Sequence, residues 1–328
     1  VRAQGIFDPQ ALKDQLGTFS ELGAPIASAL TVDYRRFYQF DFEAASPGLA
    51  HHMGWLDCDG ERLAVQLFVP QAPRGSVVFC HGYFDHVGLF EHLLRYLLGK
   101  QLAVLAFDQI GHGLSSGERA TIDSFDRYVA ALERVRAVAA GLLPAPCYGV
   151  GQSTGCAVLM EHALQHGVTF DELILFAPLV RPAHWGVNRL VYQVAKRTVK
   201  DRPRAVTENA ENPEFMHLQR NDPLAPTRLP VQWVTAMVDW MHAFEANERL
   251  PQVPFVLQGD TDGTVAGRYN LKVLQRLVAP AELPVLWLEG GRHHLPNESA
   301  ALRAQMWAWL DERVPWPTVA EPSPKIGA

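Results

Sequence analysis

The chain reads as an α/β protein: a mostly parallel central sheet with helices on both faces and an inserted helical cap. Three observations lead there. From about residue 50, short β-branched or apolar runs alternate with amphipathic stretches, the pattern of strands connected by crossover helices. Between about residues 181 and 250 the alternation breaks: no strand recurs, and Pro203, Pro213, Pro223, Pro226 and Pro230 punctuate two helical patterns. After Pro254 the strand-and-helix pattern resumes.

Taken in order, the candidate strands are 62–69, 76–80, 103–107, 147–150, 173–176, 255–258 and 285–288. Helices are equally legible between them. Leu89, Leu93, Leu94, Leu97 and Leu98 recur at helical spacing, as do Phe125, Val129, Leu132, Val135 and Val138, and a last helix covers 299–310. The division that follows is an N-terminal extension (1–49), a first core part (50–180), the cap (181–250), a second core part (251–314) and a tail (315–328). The extension offers a short helix near 10–16 and an aromatic-rich stretch at 34–42, to which the sequence assigns no chemistry. The tail, with Pro317, Pro322 and Pro324, is expected to be loose.

Composition narrows the function. With 328 residues, 48 % of them hydrophobic and 20 % charged, the chain can bury a large core. A net charge of −6 removes the basic footprint that nucleic-acid binding needs. The longest apolar runs are strand-length, far short of the roughly 20 residues that span a bilayer. Arg2, Asp8, Lys13, Asp14 and Glu21 interrupt the first 30 residues, so no signal-peptide core appears there and the location reads as cytoplasmic, with a trimmed leader before Val1 left open. Cys58, Cys80, Cys147 and Cys156 lack paired metal-type spacing and read as buried free thiols.

Chemistry concentrates at three strand ends. Gly151-Gln152-Ser153-Thr154-Gly155 lies between a strand and a helix, the context in which a sharp turn presents a nucleophilic serine. Glycine on both flanks relieves the crowding such a turn creates. A serine needs a base to be nucleophilic at neutral pH, and the base needs an acid to fix its tautomer. The strand at 255–258 runs into Asp260-Thr261-Asp262-Gly263, and that at 285–288 into Gly290-Gly291-Arg292-His293-His294. Open α/β sheets gather their sites at such carboxyl ends. Residue chemistry alone leaves Asp260 and Asp262, and His293 and His294, as open pairs. The Asp-x-Asp-Gly run also resembles the start of a calcium loop, but the remaining ligands and the closing Glu are missing.

In combination these residues resemble the monoacylglycerol lipase and lysophospholipase (serine aminopeptidase-like) branch of the α/β-hydrolase fold. The likeness rests on Val77-Val78-Phe79-Cys80-His81-Gly82-Tyr83, on Asp108-Gln109-Ile110-Gly111-His112-Gly113-Leu114-Ser115 and on the Gly151 to Gly155 run, in that order, and extends from about residue 60 to 310. The resemblance implies an acid in a Gly-x-x-Asp-x-x-Val pattern, here Gly259, Asp262 and Val265, and a base in a His-x-Leu-x-Asn-Glu pattern, here His293 through Glu298. It further implies an oxyanion hole from the backbone N–H groups of Tyr83 and Thr154. His81, His112 and Asp108 become loop-shaping residues, and His294 a bystander. No cofactor and no metal are implied.

Substrate choice falls to the cap. Trp233, Met237, Trp240, Met241 and Phe244 form one apolar stripe, read first as packing on the core and second as a pocket wall for an acyl chain. Lys196, Arg197, Lys200, Arg202 and Arg204 form a local basic run, read first as a solvated helix end and second as a contact with a phosphate head group or an anionic membrane or micelle surface. The expected activity is hydrolysis of carboxylic esters, with a small-molecule ester or monoacyl lipid as substrate. An amide or thioester hydrolase with the same triad is the near rival, favoured by an acidic cluster in the cap, where only scattered Glu208, Glu211 and Glu214 occur. A catalytically inert binding protein is the distant one. Oligomeric state is not legible.

Overall fold

The computed structural model describes residues 7–19, 28–42, 46–205 and 207–317. Its strands are β1 (Ala50–Cys58), β2 (Glu61–Val69), β3 (Gly75–Cys80), β4 (Leu102–Phe107), β5 (Cys147–Gln152), β6 (Glu172–Phe176), β7 (Asp201–Pro203), β8 (Arg228–Pro230), β9 (Phe255–Gly259) and β10 (Val285–Leu288). The helices are α1 (Pro9–Gln15), α2 (Ala29–Phe37), α3 (Glu91–Gly99), α4 (Phe125–Leu142), α5 (Thr154–His166), α6 (Trp185–Thr198), α7 (Pro213–Arg220), α8 (Val231–Glu245), α9 (Gly267–Val278) and α10 (Ala300–Arg313).

Eight strands form one sheet in the order β1-β2-β4-β3-β5-β6-β9-β10. From β4 to β10 every pairing is parallel, whereas β2 runs antiparallel to both β1 and β4. This is the mostly parallel α/β architecture the residue pattern predicts. Parallel strands need cover on both faces, and the side chains divide accordingly. Val78, Cys80, Leu105, Leu173 and Leu175 join the layer built by α4, α5, α8 and α9. Their neighbours Val77, Phe79, Val104, Ile174 and Phe176 join the opposite layer, with α3, α10 and the N-terminal helices.

Several expectations change. The strand β1 was not foreseen; its residues, Ala-His-His-Met-Gly-Trp-Leu-Asp-Cys, lack a β-branched run, and its full-length pairing with β2 holds it in place. The insertion between β6 and β9 holds three helices rather than two, together with a two-stranded ribbon of β7 and β8 where no strand was expected. Strands of three residues that each end in proline carry too little pattern to read. At the other end, the loose tail does not begin at Pro315: the Pro315 carbonyl accepts from Tyr148 Oη at 2.8 Å, and Trp316 Nε1 donates to Leu310 O at 3.1 Å. The tail beyond residue 317 lies outside the described residues.

The aromatic stretch of the N-terminal extension proves to be core. Tyr34, Tyr38, Phe40 and Phe42 are buried with Phe7, Phe37 and Phe68, their rings meeting mostly edge to face. Tyr38 does more than pack. Its hydroxyl donates at 2.7 Å to Asp222 of the insertion, whose other carboxylate oxygen lies 2.8 Å from His86 Nε2, just after β3. One buried carboxylate thus joins three segments of the chain.

Candidate active site

The turn from β5 into α5 is built around Ser153, whose φ of 52° and ψ of −111° lie where a non-glycine residue is strained. The flanking glycines make the turn possible. A Cβ on Gly155 would stand 2.0 Å from the Cys80 carbonyl oxygen, and one on Gly151 would stand 2.8 Å from Cys156 N. Ser153 N donates to Phe176 O at 2.9 Å, and its carbonyl accepts from Cys156 N at 3.0 Å, fixing the turn from both sides.

The loops after β9 and β10 converge on this turn. His293 Nε2 lies 3.0 Å from Ser153 Oγ, and His293 Nδ1 lies 2.8 Å from Asp262 Oδ2. The three side chains therefore form one continuous row. Asp262 is held from every side: Oδ1 accepts from Thr264 N at 2.7 Å and Val265 N at 3.0 Å, and Oδ2 also accepts from Gln258 Nε2 at 3.0 Å. Burial opposes ionisation of Asp262, but His293 and the two backbone donors outweigh it and hold the pKa below the ordinary value. For His293 burial likewise disfavours the charged ring, yet the Asp262 carboxylate, with Asp85 farther off, raises its pKa above the ordinary histidine value.

The two open pairs separate by geometry. Asp260 is exposed, and its Oδ1 accepts from Gly290 N at 2.8 Å, joining the two loops away from Ser153. His294 turns into the interior between Phe90 and Phe215, with Nδ1 3.1 Å from Asn297 Nδ2 and Nε2 3.2 Å from Asp85 Oδ2. Neither touches Ser153. The loops of Asp262 and His293 pack so closely that a Cβ on Gly259 would meet Gly291 O at 2.1 Å.

The loop after β3 closes the other side of the serine. A Cβ on Gly82 would lie 3.4 Å from Ser153 Cβ, so the His81-Gly82-Tyr83 backbone abuts the Ser153 turn. Among the described residues, no protein acceptor takes up the amide of Tyr83 or of Thr154. Tyr83's ring is turned away: it stacks on Trp233 with centroids 3.5 Å apart, and its hydroxyl donates to Ala120 O at 2.8 Å. Its bulk is spent on joining core to insertion.

The arrangement has relatives. The profile of Hydrolase_4, the serine aminopeptidase S33 family, matches residues 71–300. The chain belongs to this family. It is 26 % identical over 249 residues to a monoacylglycerol lipase of Mycolicibacterium smegmatis, covering 73 % of this chain and 88 % of that one. A stretch of 127 residues is 32 % identical to human monoglyceride lipase, spanning 38 % of this chain and 42 % of the human protein. Among solved structures, the monoacylglycerol lipase of Paleococcus ferrophilus superposes with a TM-score of 0.64 at 20 % identity, over 76 % of this chain and 98 % of that one; the likeness is one of fold.

The side chains of the α8 stripe pack on the core. Trp233, Met237, Trp240 and Met241 are all buried in the layer shared with α4 and α5. Trp240 stacks on Phe125 at 4.9 Å and donates Nε1 to Glu161 Oε2 at 3.0 Å. These contacts are the packing that the first of the two readings expects, and Trp233 also stacks on Tyr83 beside the Ser153 turn. A cleft of about 400 Å³ does border His293, but its walls are polar and include Glu208, Asn209, Thr261, Thr264 and Arg292. Glu208 in that wall is matched by Arg292 at 3.2 Å and Arg220 at 3.8 Å.

Residue chemistry alone missed the supports. Gln152, beside the serine, donates Nε2 to His293 O at 2.9 Å, tying the two loops together. The fully buried Glu298 accepts from Arg292 N and from Glu211 N, both at 2.8 Å, clamping the histidine loop to the insertion. Asn297 donates to Leu89 O at 2.6 Å. A signal for the last two was present in the His-x-Leu-x-Asn-Glu spacing. The loop-shaping residues fall where expected: Asp108 accepts from Val87 N at 2.8 Å and Leu114 N at 2.7 Å, and His81 Nε2 accepts from Gln109 N at 2.8 Å.

Proposed function

We propose that the chain is a serine hydrolase that cleaves carboxylic esters of monoacyl lipids through Ser153, His293 and Asp262. The observation that carries the reading is the 3.0 Å approach of His293 Nε2 to Ser153 Oγ, with His293 Nδ1 on a carboxylate. Ser153 Oγ attacks the ester carbonyl while His293 Nε2 takes its proton, and the carbonyl oxygen gathers negative charge. The N–H groups of Tyr83 and Thr154 receive that charge. Collapse of the intermediate expels the alcohol, which takes the proton from His293, and leaves an acyl-serine. A water then repeats the sequence, with His293 again as base, and releases the fatty acid. Asp262 keeps Nδ1–H in place and stabilises the imidazolium; its four hydrogen bonds fix its own orientation.

The names of the relatives point to an ester of a single acyl chain. The surface of α6 supports contact with an anionic lipid surface. Val187, Leu190, Val191 and Val194 fall at helical spacing and are between 55 and 68 % exposed, with Arg189, Lys196, Arg197 and Lys200 around them. No described helix is long and apolar enough to cross a membrane. A half-wet helix flanked by cations suits attachment at the interface.

A fluorophosphonate probe tests the nucleophile: it should label the wild type and not Ser153→Ala, whose ester turnover should fall by about 10⁴-fold or more. His293→Ala should abolish turnover and His294→Ala retain it, and the opposite result refutes the assignment of the base. Because His293 must be neutral to accept a proton, kcat/KM should rise with pH through a midpoint above that of an ordinary histidine. In Asp262→Asn the residual activity should show that midpoint moved down, since the charge that raises it is gone. An unmoved midpoint would mean another group titrates.

A further inference from the structure

The helix that begins at the nucleophile ends at a second constellation. His162 and His166 stand four residues apart on one face of α5, the spacing with which a helix presents two imidazoles to one ion. Glu133 of α4 faces them, and one donor atom from each of the three lies within 4.8 Å of the other two. His162 lies nine residues and His166 thirteen residues beyond Ser153, roughly 13 to 20 Å along the axis. It is no part of the hydrolytic site.

We propose that Glu133, His162 and His166 bind a divalent transition-metal ion of the zinc class. The donor set is two nitrogens and one carboxylate oxygen, which suits zinc and its neighbours and not the oxygen-seeking magnesium or calcium. Their burial is graded: His162 is wholly buried, Glu133 partly so, and His166 is exposed, so an ion can enter from solvent and end on a fixed ligand.

The hydrogen bonds already fit that use. His162 Nε2 lies 2.7 Å from Glu133 Oε2, the two sharing one proton. Binding replaces that proton by the metal: the neutral ring changes tautomer, Nε2 giving its hydrogen to solvent while Nδ1 takes one up, and the freed lone pair of Nε2 and one of Oε2 turn to the ion. Thr169 Oγ1, 3.3 Å from His162 Nδ1, can then accept the hydrogen that Nδ1 must carry when Nε2 is a ligand. Burial lowers the pKa of His162 more than Glu133 raises it, which keeps the ring neutral. Arg136 grips Glu133 by two bonds, Nε to Oε2 at 2.8 Å and Nη2 to Oε1 at 2.7 Å. Each oxygen keeps a second lone pair, so Arg136 orients the carboxylate without using it up. His166 closes the set and water completes it.

The test uses the full chain, stripped of metal with a chelator and titrated with Zn²⁺ by calorimetry, with a thermal melt at each ratio. One equivalent should bind and raise the Tm, and Mg²⁺ should do neither. His166→Ala, at an exposed position, should melt like the wild type without metal and bind Zn²⁺ about tenfold or more weakly. His162→Gln should lose the same equivalent. The proposal is overturned if the wild type takes up no Zn²⁺, or if His166→Ala binds it with unchanged affinity and stoichiometry. Neither result depends on ester turnover, so the hydrolase reading stands or falls separately.

Discussion

Two helices of the insertion, α6 and α8, use similar apolar content in opposite ways. On α8, Trp233, Met237, Trp240, Met241 and Phe244 are all buried against the sheet's covering helices. On α6 only Trp185 and Tyr192 are buried, and an equally regular ridge of Val187, Leu190, Val191 and Val194 faces outward. On one helix the apolar stripe is covered by the fold itself. Exposure on the other leaves apolar surface that the fold itself does not cover, and such patches mark places of contact with something else. The difference separates residues that hold the insertion on from residues available for function.

Three substitutions press on that contrast. The largest effect belongs to α8: Trp240→Ala removes a ring stacked on Phe125 and a hydrogen bond to Glu161, and should cost about 3–5 kcal/mol in chemical denaturation. A cost near zero would mean that α8 is not part of the cooperative core. Next comes the inner face of α6, where Tyr192→Phe deletes the 3.1 Å bond from Tyr192 Oη to Thr235 Oγ1 and should cost about 1 kcal/mol. Smallest is the outer face: Leu190→Ser should change stability by no more than about 0.5 kcal/mol. Its effect should appear instead in sedimentation with phosphatidylglycerol vesicles, which should weaken, while vesicles of neutral phosphatidylcholine bind neither form well. Unaltered vesicle binding would remove α6 from the lipid contact.

The same contrast explains what was legible in advance. The central strands could be read because double-sided burial leaves a short continuous apolar run, as in Val77-Val78-Phe79, and the glycines around Ser153 could be read because only they fit beside Cys80 and Cys156. Helical stripes could be read as stripes, but not what they face. Nothing in Trp233-x-x-x-Met237 distinguishes packing on α4 from lining a pocket, since both need the same apolar spacing. The ridge on α6 escaped notice because the basic residues beside it dominate the local composition. In the site, the choice of Asp262 over Asp260 rests on motif spacing in the sequence and on hydrogen bonds in the structure. The supports Gln152 and Gln258 are amides whose partners lie over a hundred residues away or on the next loop, and no local pattern announces them.

The tie between Tyr38, His86 and Asp222 bears on where this protein begins as an inherited unit and where it begins as a physical one. The family profile starts at residue 71, after β1 and β2 and after α2 and the Tyr38 that follows it. Ser153, Asp262 and His293 all lie inside it, so a segment cut to 71–300 would retain all three residues of the proposed triad. It would also strand a buried aspartate of the insertion with one of its two side-chain partners missing. The family match takes in the proposed triad, whereas what keeps the insertion seated reaches back into residues that lie outside that match.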